Sequence, residues 1–195
     1  MGLRNTAERW GGVAQLLHWL IVALVVIQVT LALVAKSLPR GPAALAFIST
    51  HKSVGITILA LMLIRLLWRW GNPVPVLPDT LTLHERALAR ATHVGLYGIL
   101  LIMPLSGWVG SAAHGIAVRW FNLVTLPNIV SKDLALSRLM FEVHFWLAIL
   151  LGVMVALHIA AALRHHFALR DDTLRRMLPM GTTPMPVVNG GRGKP

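Results

Sequence analysis

Four long apolar stretches, separated by polar or broken connectors, dominate the pattern along the chain: Val13–Ala35, Phe47–Leu67, Ala91–Ala113 and Leu139–Leu163. Each matches or exceeds the ~20 helical residues that cover the hydrocarbon core of a bilayer. Backbone polar groups in lipid have no water to bond, so runs of this length pair them internally as α-helices. The pattern therefore predicts an all-α fold, an integral membrane four-helix bundle. Pro104, inside the third run and followed by Gly107 and Gly110, predicts a kink there. Lys36–Pro42 ends the first helix, Gly71–Pro78 reads as an extended proline-rich loop, and His114–Asp133 as a longer loop that sets Trp120 and Phe121 at a membrane interface. The expected organisation is one four-helix transmembrane domain over residues 1–178 and a mobile cytoplasmic tail over 179–195.

Composition agrees. The chain is 56% hydrophobic and only 13% charged, a balance foreign to soluble domains of 195 residues. With no cysteine, disulfides, thiolate metal sites, iron–sulfur clusters and covalent c-type haem attachment are excluded. The net charge of +11 is spread over several hydrophilic segments without a compact basic motif, which predicts a lipid bilayer and no nucleic acid as partner. Four spans leave both termini on one side. Of the 18 Lys and Arg, twelve fall on that side and six (Lys36, Arg40, Lys52, Arg119, Lys132, Arg138) on the other, so the positive-inside rule puts both termini in the cytoplasm. Val13–Ala35 exceeds the apolar core of a signal peptide and ends in no clear small-residue cleavage site, so it is expected to be retained.

On this topology five histidines sort into two levels. His18, His93 and His158 share the inner, cytoplasmic level; His51 and His144 share the outer one. His144 and His158 lie fourteen positions apart on one helix. That is about 3.9 turns and about 21 Å of rise, so the two imidazoles stand on nearly the same face. One helix can thus ligate two stacked cofactors, with His51 as outer partner and either His18 or His93 as inner partner. Bis-imidazole ligation fills both axial positions of a haem iron and favours electron transfer over ligand binding. Zinc would need about four ligands gathered tightly, usually with carboxylates or thiolates, and suits the pattern less well. Gly55, Gly95 and Gly98 could admit a porphyrin face or simply allow close helix packing.

The segments AQLLHWLIVALVV, STHKSVGITILALMLIRLLWR, ATHVGLYGILLIMPLSGW and VALHIAAALRHHFALRDDTLRRMLP together resemble the bacterial cytochrome b561 family, over nearly the whole chain from Arg9 to Pro179. The resemblance implies a multi-pass di-haem b protein of the bacterial inner membrane that exchanges electrons with the quinone pool; some members are described as superoxide oxidases that reduce ubiquinone. Carried over by position, it implies His18 and His158 as axial ligands of an inner haem b, and His51 and His144 as those of an outer one. His93 matches a family histidine but is not the implied ligand. The implied reaction carries electrons from superoxide, or another one-electron donor, to ubiquinone. The alternative is a membrane-anchor cytochrome b subunit that relays electrons between a partner dehydrogenase and quinone; a homo-oligomer is also compatible. His165, beyond the inner level and beside Arg164, is the candidate to hydrogen-bond a quinone carbonyl, ahead of His166. The outer cations could draw in a small anion, but scattered loop charge is the plainer reading. Arg65 and Arg69 are expected to snorkel to cytoplasmic headgroups rather than pair with haem propionates, and the seven tryptophans to form an aromatic belt.

Overall fold

The computed structural model describes residues 2–76 and 81–178. Part of the predicted proline-rich loop and the predicted tail, 179–195, lie outside them. Four long helices follow in chain order: α1 (Gly12–Ser37), α2 (Pro42–Trp70), α3 (Leu83–Ala113) and α4 (Leu134–Arg164). Each is long and apolar enough to cross a membrane. Three of them begin well before the apolar runs that predicted them, because capping and not hydropathy sets a helix end. Pro42 opens α2 in the first turn, where its missing N–H is no loss. Thr82 and Glu85 close a reciprocal capping box on α3. The Asp133 carboxylate accepts from the amides of Ala135 (2.8 Å) and Leu136 (3.0 Å) at the start of α4.

The helices associate as two pairs, α1 with α2 and α3 with α4, joined through α2 against α3. A small buried core cluster joins Ile21 of α1 to Val54, Ile58 and Met62 of α2. Large apolar side chains such as Leu16, Val26, Leu63 and Leu157 point outward, as the lipid-facing side of a bundle requires. Small polar residues mark the helix contacts; Ser137 Oγ, for example, donates to the Gly110 carbonyl at 3.0 Å.

The long loop between α3 and α4 holds a feature its sequence did not announce. Arg119–Trp120 (β1) pairs antiparallel with Val124–Thr125 (β2), and Phe121 and Asn122 take the left-handed conformation that closes the turn. Ser53 anchors this hairpin to α2: its hydroxyl donates to the Arg119 carbonyl (3.1 Å) and accepts from the Phe121 amide (2.9 Å). Trp120 Nε1 donates to Thr57 Oγ1 at 3.0 Å. On the opposite side the N-terminal segment folds back over the start of α1. Gly11 sits so close to it that a Cβ would lie 2.3 Å from the Leu3 carbonyl, so only glycine fits.

Candidate electron-transfer site

The histidines meet as the two-level pattern requires. At the outer level the rings of His51 on α2 and His144 on α4 face each other with centres 6.1 Å apart. At the inner level His18 on α1 faces His158 on α4 at 6.4 Å. His93 on α3 comes nearer to His158, at 5.4 Å. α4 therefore supplies one ring at each level.

The two levels differ in how their rings are held. His144 donates from Nδ1–H to the Met103 carbonyl at 2.8 Å, with Ser106 Oγ 3.2 Å away. Its imidazole lies against α3 at Gly107, where a Cβ would come within 3.1 Å of Cε1. His51 donates from Nδ1–H to the Gln28 carbonyl at 3.2 Å. A carbonyl on Nδ1 fixes the tautomer and makes Nε2 the accepting nitrogen, the arrangement usual in metal-ligating histidines; on His51 that nitrogen accepts from the Gln28 side-chain amide. The Gln28 side chain lies 3.2 Å from His51 Nε2, and its own Oε1 is buried with no partner among the described residues. At the inner level His93 donates to the Ala89 carbonyl at 2.7 Å. Neither His18 nor His158 makes a hydrogen bond among the described residues.

Two of the three glycines near the histidines serve packing. Gly55 makes room for the Gln28 carboxamide at 3.1 Å and Gly95 for the Met154 methyl at 2.6 Å, whereas nothing lies within 4 Å of a Cβ built on Gly98 or on Gly152. Arg65 does not snorkel. Its Nε donates to the Tyr97 hydroxyl (2.9 Å) and its Nη1 to the Ala14 carbonyl (3.3 Å), acceptors on the two neighbouring helices. Arg69 stands over the rings of Trp10 and Tyr97, at 5.8 and 5.6 Å. The belt accounts for only part of the tryptophans. Trp70 and Trp146 are well exposed, but Trp19 and Trp108 donate to the carbonyls of Met177 (2.8 Å) and Pro127 (3.3 Å) and tie down loops. Of the outer cations, Lys52 and Arg119 line one small concavity of about 140 Å³ and Lys132 lines another.

Beyond the inner level α4 widens into a π-helical turn, His165–Leu169, and Arg170 takes a left-handed conformation (φ 52°). The chain doubles back there. His165 Nδ1 donates to Asp171 Oδ2 at 2.5 Å, and the Thr173 amide donates to Asp171 Oδ1 at 2.9 Å. Partial burial pushes the Asp171 carboxyl up, but the hydrogen bonds from His165 and Thr173 outweigh it and hold the group below its ordinary value. The segment that follows is pinned to α1 by Trp19 and by Gln15 Nε2, which donates to the Arg176 carbonyl at 3.1 Å. His166 Nδ1 and Asp172 Oδ1 are buried without partners among the described residues. The sequence contained the material of this turn but no sign of its shape: His165 and Asp171 are six positions apart, and only the reversal at Arg170 brings them together.

The family model of prokaryotic cytochrome b561 matches residues 9–180. The chain belongs to the prokaryotic cytochrome b561 family. Among its relatives, cytochrome b561 homolog 2 of Escherichia coli (strain K12) is 34% identical over 185 residues, which cover 91% of this chain and 95% of the relative. The probable superoxide oxidase CybB of Yersinia pestis is 29% identical over 163 residues, 84% of this chain and 92% of that protein. Cytochrome b561 homolog 1 of E. coli (strain K12) is 29% identical over 166 residues, with 84% and 93% covered. The chain is thus a bacterial membrane cytochrome of the b561 type, an electron-transfer oxidoreductase, and membership implies b-type haem.

The histidine pairs suit that group. With metal–imidazole bonds of about 2 Å and a nitrogen about 1.1 Å from its ring centre, two imidazoles on opposite sides of one iron have centres about 6.2 Å apart. The His51–His144 and His18–His158 distances, 6.1 and 6.4 Å, bracket that value, while His93–His158 at 5.4 Å falls short of it. No cluster of three or more His, Asp or Glu among the described residues offers the alternative of a compact metal-ion site.

Proposed function

We propose that this cytochrome b561 holds two b-type haems, one at each level, and moves electrons from a one-electron donor on the outer side to ubiquinone on the inner side. His51 and His144 are the outer axial ligands, His18 and His158 the inner ones. The observation that carries this reading is the pair of matched ring separations built on one helix. Haems so held supply a one-electron relay across the bilayer. The protein's share would be to hold the four imidazoles in place, the outer two fixed through the carbonyls of Met103 and Gln28.

Superoxide is the proposed donor, by the likeness to the Yersinia relative and because Lys52 and Arg119 put positive charge on the outer face. Two superoxide anions give up one electron each and leave as dioxygen. One ubiquinone takes up the two electrons with two cytoplasmic protons and leaves as the quinol. His165 is the proposed group that hydrogen-bonds the quinone carbonyl. The same reading sets the protein in the inner membrane, multi-pass, with both termini cytoplasmic, and makes 1–178 the functional domain.

Purification in detergent from haem-supplied cells, with pyridine haemochrome quantification, tests the haem count; two b-type haems per chain are expected. Superoxide-driven reduction of a short-chain ubiquinone tests the reaction. A folded, haem-free protein would overturn the proposal, and a haem-loaded one that reacts only with a co-purified dehydrogenase would turn it to the membrane-anchor alternative.

A further inference from the structure

Beyond the inner histidines the protein has built a second device. The π-helical turn begins at His165, and Arg170 pays for a left-handed conformation that glycine would adopt freely. What this geometry yields is a histidine–carboxylate pair with side chains only 14% and 16% exposed. The pair is braced from three directions. The Thr173 amide holds the second carboxylate oxygen, the Asp171 amide donates to the His165 carbonyl at 3.1 Å, and Trp19 and Gln15 pin the following segment to α1. His165 Nδ1 is thus committed to Asp171, and its Nε2 has no partner among the described residues.

We propose that Asp171 is a positioning residue for proton delivery: it fixes the His165 ring and balances the imidazolium, so that Nε2–H is the proton given to the quinone oxygen. This rests on His165 as the quinone contact. In each one-electron transfer to the quinone, the Nε2–H bond breaks as an O–H bond forms on the quinone, and His165 then regains a proton from cytoplasmic water. Two such events balance the two electrons and two protons of the quinol. Asp171 neither gains nor loses a proton; it offsets the charge of the imidazolium and holds the ring against rotation, the role a buried carboxylate plays behind any histidine acid–base group.

The test separates proton-coupled from proton-independent oxidation. The full-length, haem-loaded protein is reduced with dithionite, and haem reoxidation is followed in stopped flow with a short-chain ubiquinone or with ferricyanide, which takes electrons without protons. For Asp171→Asn we expect at least about a tenfold fall in the maximal rate with ubiquinone, an unchanged half-saturating concentration, a larger solvent deuterium isotope effect and an unchanged ferricyanide rate. Asp171→Glu should recover most of the loss. His165→Gln should be at least as slow as Asp171→Asn. If His165→Gln is slow and Asp171→Asn is not, the pair is refuted while the quinone site stands. If neither is slow, both fail. Equal losses with ferricyanide, or no recovery by glutamate, would make Asp171 a structural brace and overturn the proposal.

Discussion

The outer and inner histidine levels are built from the same parts and held differently. Outside, both rings donate to main-chain carbonyls, and α3 presents Gly107 as a seat for His144. Inside, His18 and His158 make no hydrogen bond among the described residues, and a third imidazole, His93, stands close to one of them. Carbonyl tethers orient a ligand before the metal arrives and raise its basicity. The outer pair is therefore preorganised, while the inner pair would take its order from the proposed haem.

The largest effect to expect is the loss of one haem at a time. His144→Ala should leave about one haem per chain at the inner level and His158→Ala about one at the outer level, both read by pyridine haemochrome. These single-haem proteins then sharpen the contrast. Transfer of haem to apomyoglobin should be about tenfold faster from the inner site left in His144→Ala than from the outer site left in His158→Ala, in line with the value of second-shell tethers. Equal rates would mean that the tethers contribute little.

Smaller changes probe single parts of the outer level. Gly107→Ala puts a methyl 3.1 Å from His144 Cε1, so the ring must yield by a few tenths of an ångström. Outer haem affinity should fall severalfold while the inner haem is unaffected. Ser106→Ala should do least. The Met103 carbonyl carries the principal bond at 2.8 Å, so the outer midpoint potential should move by less than about 60 mV, the shift for a tenfold change in relative affinity of the two redox states. Redox titration checks both.

The acid side offers one further probe, at the inner end. Asp171 is held below its ordinary pKa, so the stability it gives the C-terminal turn is fully present above the ordinary carboxylate range and lost as pH falls through its depressed value. Hydrogen exchange at the amides of Asp171 and Thr173 should stay slow at pH 6 and become fast, relative to the helix amides, only once the pH falls below the ordinary carboxylate range. Asp171→Asn should abolish that pH dependence.

Much of this was legible in the sequence, for reasons that also explain what was not. Hydropathy found the four spans because lipid forces every long apolar run into a helix. The 14-residue spacing put His144 and His158 on one face because helix geometry is fixed. Spacing left His18 and His93 open as inner partners, since both fall at the same level; the ring separations support the proposed choice of His18. The outer tethers were invisible because they are main-chain carbonyls, which any residue supplies. Gln28 lies 23 positions from His51 and carries no periodic signal. The hairpin at Arg119–Thr125 escaped because two short strands leave too little alternation to read. Arg65 was misread because its acceptors, Tyr97 and the Ala14 carbonyl, belong to other helices.

α4 contributes a ring to both levels, and this makes it a ruler as well as a scaffold. The distance between the two sites is set by one uninterrupted run of backbone and not by packing. Deleting a single residue between His144 and His158 would swing one ring by about 100° around the helix and shorten the gap by about 1.5 Å. No neighbouring side chain could absorb that error, so the length of this stretch is as much a specification of the protein as the histidines at its ends.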